Sequence, residues 1–381
     1  MNKNFIFNMP AEIIFGINCV SENAAKFSDY KKVFIVTGKS SAKKCGALYD
    51  VLSVLDGTKA DFLIFDEITE NPLLSTCYKG GQLAYNFNAD LIVGIGGGSP
   101  LDAAKAVALF AANSDIQPDV LFTPPYKNKS LPIFAIPTTA GTGSEANPYS
   151  IITLDGKDLK RTFNYAGSYP KAAFLDPKYT YSMSYDITVS TALDAFCHCV
   201  ESFFSPKSTI FSWNYALMGM KSVYPSLEYI ADAGNKAEIP PQIRENLLVG
   251  SLLGGMSINV TGTGFPHPMG YNLTLLDGLP HGKACAVFLG EYLDMHDDLK
   301  DNTGEAEIIS VVNILFDQIS PLENIKYTVS QLLGYDKKFD DETLRLYAEK
   351  IKDAKNFSNS FRKVDVEHGE ILDIYKKILG K

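Results

Sequence analysis

A chain of 381 residues, 46% hydrophobic and 21% charged, has the length for two domains and the composition of an ordinary folded protein rather than of low-complexity disorder. A net charge of −9 argues against a nucleic-acid partner, which calls for a basic face, yet leaves room for a phosphate held by a nest of backbone N–H groups. The apolar stretches 91–112 and 247–260 are broken by glycines, the first also by Asp102 and Lys105, and fall short of the roughly 20 uninterrupted residues of a membrane span.

Short β-rich runs alternate with helical patterns through the first half. Val33–Thr37 is a predicted buried strand, followed by Gly38 and a helix over Ala42–Leu55. Asp61–Phe65 is a second strand, and Leu73–Phe87 a helix after the turn at Asn71–Pro72. Leu91–Ile95 is a third strand, whose glycines lead into a helix over Leu101–Ala111, and Leu131–Pro137 is a fourth. Apolar strands separated by helices imply a parallel sheet covered on both faces, so residues 1–184 are expected to form a doubly wound α/β domain. From about Tyr185 helical periodicity takes over, in Thr188–Phe204, Ser208–Ala231, Pro241–Met256, Gly282–Met295, Glu305–Phe316 and Asp341–Ala354. Residues 185–381 are expected to form an all-α domain packed closely on the first around a cleft. The N-terminus lacks the apolar core of a signal peptide, and Cys19, Cys45, Cys77, Cys197, Cys199 and Cys285 show no zinc-finger spacing. Free thiols and a cytoplasmic location are the expectation.

Two loops of the first half point to a bound ligand. In LIVGIGGGSPLD (91–102), Gly96, Gly97 and Gly98 remove side chains where a ligand must approach the backbone, and the helix that follows offers its unpaired N–H groups to a diphosphate. Pro100 suits the first helical turn. After the fourth strand, PTTAGTGSE (137–145) places hydroxyls beside glycines where open α/β sheets bind ligands.

Histidine is scarce: His198, His267, His281, His296 and His368. Asp194 and His198 are four apart in a predicted helix and share one face, so both can reach one ion. His267 and His281 sit among prolines and glycines at predicted helix starts, rigid positions from which an imidazole can be aimed inward. One carboxylate and three imidazoles suit Fe²⁺ or Zn²⁺. Cys197 and Cys199 flank His198 but point about 100° to either side of it, which makes them packing residues.

Taken together, these segments resemble the iron-containing (group III) alcohol dehydrogenase family, which includes butanol, propanediol and lactaldehyde-reducing enzymes. The resemblance rests on PAEIIFG (10–16), Glu70-Asn71-Pro72, GGGSPLDAAKAVA (96–108), PTTAGTGSEA (137–146), Asp176-Pro177, the Asp194/His198 helix, and the His267 and His281 segments. It implies a dehydroquinate synthase-like fold, a homodimer, and one divalent metal on Asp194, His198, His267 and His281. The implied dinucleotide contacts are Gly97, Gly98, Ser99, Asp102, Thr138, Thr139, Thr142 and Lys160, with Lys157 a rival to the last. Where some members carry a further histidine near substrate and nicotinamide, four residues after the third ligand, this chain has Tyr271, whose hydroxyl is the candidate catalytic group.

The expected reaction is hydride transfer between nicotinamide and a small primary alcohol or aldehyde, with the metal acting on the substrate oxygen. The turn after the first strand, Thr37-Gly38-Lys39-Ser40-Ser41, has no carboxylate to grip a ribose 2′-OH, which predicts NADP(H) over NAD(H), with Gly38 and Ser40 beside the ribose. A lyase of the dehydroquinate-synthase kind would need several cations for a polyanionic substrate, and 194–204 and 260–285 hold only Lys283. A glycerol-type polyol dehydrogenase matches the motifs less fully, and a non-catalytic nucleotide-binding protein would have no use for four metal ligands.

Overall fold

Successive residues of the strand Lys32–Thr37 face two different cores. Val33 and Ile35 join one buried cluster, Phe34 and Val36 the other. That period-two alternation with both faces apolar is what a parallel sheet covered on each side demands. The computed structural model describes residues 2–157, 159–235 and 238–381. It divides into two compact units: Asn8–Met183, and Ser184–Lys381 together with the first residues through Phe7. The N-terminal strip therefore departs from the expected division, because the rings of Phe5 and Phe7 pack on Phe211 of the helical unit, at centroid distances of 5.8 and 5.0 Å.

In chain order the α/β unit contains β1 (Glu12–Phe15), α1 (Cys19–Glu22), β2 (Lys32–Thr37), α2 (Ser41–Lys44), α3 (Ala47–Thr58), β3 (Asp61–Phe65), α4 (Leu74–Asn86), β4 (Leu91–Gly96), α5 (Gly98–Ala112), β5 (Ile133–Pro137), β6 (Tyr149–Thr153), β7 (Lys160–Asn164) and β8 (Ala172–Leu175). Six strands form one all-parallel sheet in the order β1-β8-β5-β4-β2-β3, while β6 and β7 make a separate antiparallel pair. The chain leaves β2 toward β3 on one side and β4 toward β5 on the other. The carboxyl ends of β2 and β4 thus flank a topological switch point, the place where open α/β sheets take ligands. The expected helix over 42–55 is interrupted, since Gly46 adopts φ +89° and separates α2 from α3.

The second unit is α6 (Tyr185–Phe203), α7 (Ile210–Ala233), α8 (Pro241–Thr261), α9 (Pro266–Asp277), α10 (His281–Ala286), α11 (Leu289–Thr303), α12 (Ala306–Gln318), α13 (Leu322–Leu333), α14 (Asp341–Ile351) and α15 (Glu370–Leu379). Ser184 starts α6 by accepting a hydrogen bond from the Ile187 N–H at 3.3 Å. From Ala192 to Phe203 every residue of α6 is buried, so it forms the axis of this unit, packed against α7, α8 and α10. No helix among the described residues is long and apolar enough to cross a membrane.

Candidate functional site

In the α/β unit the two polar loops lie against each other. A Cβ added at Gly97 would stand 3.0 Å from Thr139 Oγ1, and one at Gly98 2.7 Å from Thr142 Cγ2. Only glycine lets the two loops approach so closely. Gly96 is held at φ +152°, with Pro100 Cγ 2.5 Å from where a Cβ would be. The Thr138 N–H donates to the Gly96 carbonyl at 2.9 Å, tying the second loop to the end of β4. Thr138 is buried, whereas Gly97, Gly98, Ser99, Thr139 and Thr142 keep partly accessible surface. Together with the N-terminus of the 15-residue helix α5, these groups fit the phosphates of a dinucleotide.

The other proposed contacts are placed differently. Gly38 and Ser40 follow β2 directly, and Thr37 is in register with Ile95 one residue before Gly96, its hydroxyl donating to the Ile95 carbonyl at 2.8 Å. Both oxygens of Asp102 are engaged by the protein itself: Oδ1 accepts from Ser144 Oγ at 2.6 Å and Oδ2 from the Ile151 N–H at 2.8 Å. Asp102 therefore braces the threonine loop and β6 against α5. Lys160 starts β7 opposite Thr153, half-buried, while its rival Lys157 is exposed in the hairpin turn.

In the helical unit the four residues proposed as ligands converge. Asp194 Oδ1 is the common point, 3.5 Å from His267 Nε2 and 3.8 Å from Nε2 of both His198 and His281. The His198 and His267 rings stack at 4.6 Å, and the His281 ring stands across His267 at 5.5 Å and 74°. Asp194 Oδ1 and His267 Nε2 are buried without a hydrogen-bond partner. A protein interior rarely leaves two facing polar atoms unsatisfied, and a divalent cation between them satisfies both. The donor set fits Fe²⁺ or Zn²⁺. Burial alone would raise the Asp194 carboxyl, but the imidazoles of His198, His267 and His281 hold it well below the usual carboxylate range.

Cys285 also reaches this cluster. Its Sγ lies 3.8 Å from both ring nitrogens of His281, and Asp194, His267, His281 and Cys285 each present a ligand atom within 4.8 Å of the others. Tyr271 stacks on His281 at 6.0 Å, and burial pushes its phenol well up, so it keeps its proton at neutral pH. Glu201 joins the site without having been singled out by its place in the sequence. Its Oε1 accepts a hydrogen bond from His267 Nδ1–H at 2.7 Å. A signal does exist: Asp194, His198 and Glu201 stand at i, i+4 and i+7 on α6, one face of a helix. The remaining histidines serve the fold. His296 is buried, its Nδ1–H donating to the Tyr292 carbonyl at 2.7 Å, and His368 is exposed beside Asp365.

Known proteins share this architecture. Residues 10–177 match the model of the iron-containing alcohol dehydrogenase family, and residues 188–379 that of its C-terminal domain. Alcohol dehydrogenase 4 of Schizosaccharomyces pombe is 32% identical over 286 residues, which span 74% of this chain and 66% of that one. The NADPH-dependent butanol dehydrogenase of Clostridium saccharobutylicum is 25% identical over 93% of each chain. A crystal structure of an iron-containing alcohol dehydrogenase from Thermotoga maritima superposes with a TM-score of 0.87 at 35% identity, covering 99% of this chain and all of that one. Both units, matched separately and in order, thus lead to one conclusion: the chain belongs to the iron-containing alcohol dehydrogenase family and is an oxidoreductase of the alcohol dehydrogenase and aldehyde reductase type, a family that implies a divalent metal and a nicotinamide dinucleotide.

Proposed function

We propose that this enzyme interconverts small primary alcohols and aldehydes, with Asp194, His198, His267 and His281 holding one ion, iron or zinc, and with NADP(H) preferred over NAD(H). The observation that carries the reading is Asp194 Oδ1, buried, unpartnered, and within 3.8 Å of three imidazole nitrogens. When bound, such an ion is a Lewis acid toward a carbonyl or carbinol oxygen, and the nicotinamide is the two-electron carrier. The chain's own contribution is placement. Gly97, Gly98 and Ser99 present backbone N–H groups to phosphate, and Thr139 and Thr142 add hydroxyls beside them. Lys160 is the cation proposed to reach the cofactor from β7. Tyr271 packs against His281 and keeps its hydroxyl proton, so it acts as a hydrogen-bond donor near the ligands rather than as a base.

The cofactor preference is supported by the turn after β2, where Gly38, Lys39 and Ser40 supply no carboxylate of their own to grip a ribose 2′-OH or repel a 2′-phosphate. The relative from Clostridium saccharobutylicum is itself named NADPH-dependent. A homodimer in the cytoplasm completes the proposal. The test is metal analysis together with NADPH oxidation in the presence of butyraldehyde, for the wild type and His267→Ala. The variant is expected to lose most of its metal and nearly all turnover. Full turnover in a metal-free variant would sink the reading.

A further inference from the structure

Glu201 is fully buried on α6, on the face that carries Asp194 and His198. Its Oε1 lies 2.7 Å from His267 Nδ1, and its Oε2 has no hydrogen-bond partner. Among the described residues, the ion pairs of Glu201 and Asp194 are with imidazoles alone, and no Lys or Arg stands beside either. Two carboxylates in a protein interior whose only partners are imidazoles, with no fixed cation, are costly unless something further offsets them.

A carboxylate only accepts hydrogen bonds, so the 2.7 Å contact puts the His267 proton on Nδ1. In the neutral ring, Nε2 is then a bare lone pair. That atom faces Asp194 Oδ1 at 3.5 Å, and both lack partners. The geometry points to Glu201 as a positioning residue for the cation: it fixes the tautomer and rotation of His267 and supplies, with Asp194, the second of two negative charges that a divalent ion balances. This rests on the reading that the ion sits at Asp194 and His267. It assigns a role to a residue outside the ligand set. With three neutral imidazoles, the two carboxylates and a divalent ion sum to zero charge, so the ion can be buried without further counter-ions.

The test measures Zn²⁺ binding by competition with a chromophoric chelator, on the full chain stripped of metal and reloaded. Glu201→Gln keeps the shape and one acceptor oxygen while removing the charge. Its Zn²⁺ dissociation constant is expected to rise about 10–100-fold, and further in Glu201→Leu, which removes the acceptor as well. In the metal-free protein Glu201 is paired with the His267 imidazole, so Glu201→Gln, which keeps the acceptor oxygen, is expected to leave the melting midpoint close to that of the wild type. A residue that served only the fold would instead lower that midpoint and leave the affinity of the folded protein unchanged. If Glu201→Leu does not fold, the isosteric Gln variant carries the test alone. Wild-type Zn²⁺ affinity in Glu201→Gln, with His267→Ala losing the ion, overturns the role of Glu201 and leaves the ligand assignment standing. Wild-type affinity in His267→Ala overturns both.

Discussion

Gly282 lies so close to α6 that a Cβ on it would overlap the Ser190 carbonyl oxygen and stand 2.8 Å from Asp194 Cβ. The next residue back is His281, whose Nε2 is 3.8 Å from Asp194 Oδ1. The absence of one side chain is therefore what lets the start of α10 deliver an imidazole to the carboxylate. Gly282→Ala must push α10 away from α6. A misplacement of about 1 Å is enough to cost on the order of 100-fold in activity, and overpacking costs about 1–3 kcal/mol of stability. Elemental analysis of the purified variant should find little bound metal, and kcat/KM should fall by about that factor. Wild-type metal content would show that α10 has another way to seat His281.

Cofactor choice is predicted to turn on Gly38. A carboxylate placed there would accept from the ribose 2′-OH of NADH and repel the 2′-phosphate of NADPH. The added Cβ would sit 3.2 Å from the Ile68 carbonyl oxygen, a contact that asks for a shift of a few tenths of an ångström. One charge-assisted hydrogen bond contributes about 1.5–3 kcal/mol, so Gly38→Asp should swing the ratio of kcat/KM for NADPH over NADH by about 10–100-fold toward NADH. Steady-state rates with both cofactors decide it. A wild-type enzyme that already prefers NADH removes the basis of the prediction.

His296 makes the fold acid-sensitive at a place remote in role from the ligands. Burial pushes its imidazole down to about 4, against the help of the Tyr292 carbonyl and with the opposition of Arg362. The unfolded chain takes up this proton near pH 6.5. Folded His296 stays neutral until about pH 4. Its contribution to stability is thus complete above the unfolded value and is lost as the pH falls from about 6.5 to about 4, amounting to about 3 kcal/mol in all. His296→Gln, which cannot titrate, should lose less stability than the wild type between pH 7 and pH 4.5 in urea denaturation. Parallel pH profiles for the two proteins would refute the assignment.

What the sequence discloses, and what it conceals, follows from burial. Strands β2, β4 and β5 are covered on both faces and show as unbroken apolar runs. Strand β1 is four residues long and partly exposed, and β8 (AAFL) opens on two alanines, which carry little β preference, so neither stands out in the sequence although together they complete the sheet. Gly46 is a visible break in 42–55, but only its positive φ shows that it splits the helix. The proposed ligands are legible only as a set: Asp194 and His198 four apart on a helix are weak evidence alone, and His267 and His281 among prolines and glycines add the rest. Glu201, three residues after His198, looks like any glutamate near a helix end until its burial is known. Asp102 shows the opposite case: the family pattern marks it as a cofactor contact, while its oxygens are taken up by Ser144 and Ile151.

Beneath the threonine loop, Lys105 and Asp102 form a buried pair that is predicted to tie stability to cofactor binding. Lys105 Nζ donates to Ser144 Oγ at 2.6 Å and to the Tyr149 carbonyl at 2.5 Å, and Ser144 Oγ in turn donates to Asp102 Oδ1. The direct separation of the two charges is 3.7 Å. Burial lowers the Lys105 ammonium to about 8 and raises the Asp102 carboxyl, so on each partner desolvation outweighs the attraction of the other. Removing one partner leaves the other charge uncompensated, at a cost of about 3–5 kcal/mol, and Lys105→Met should lower the melting midpoint accordingly. The double variant Asp102→Asn with Lys105→Met should be less destabilised than the two single changes summed, by about 0.5–3 kcal/mol. Because Ser144 follows Thr142, which lies against Gly98, Lys105→Met should also raise the KM for the dinucleotide more than it lowers kcat. Strict additivity in the double-mutant cycle would show that the pair acts as two separate residues, and an unchanged KM would separate it from the cofactor site.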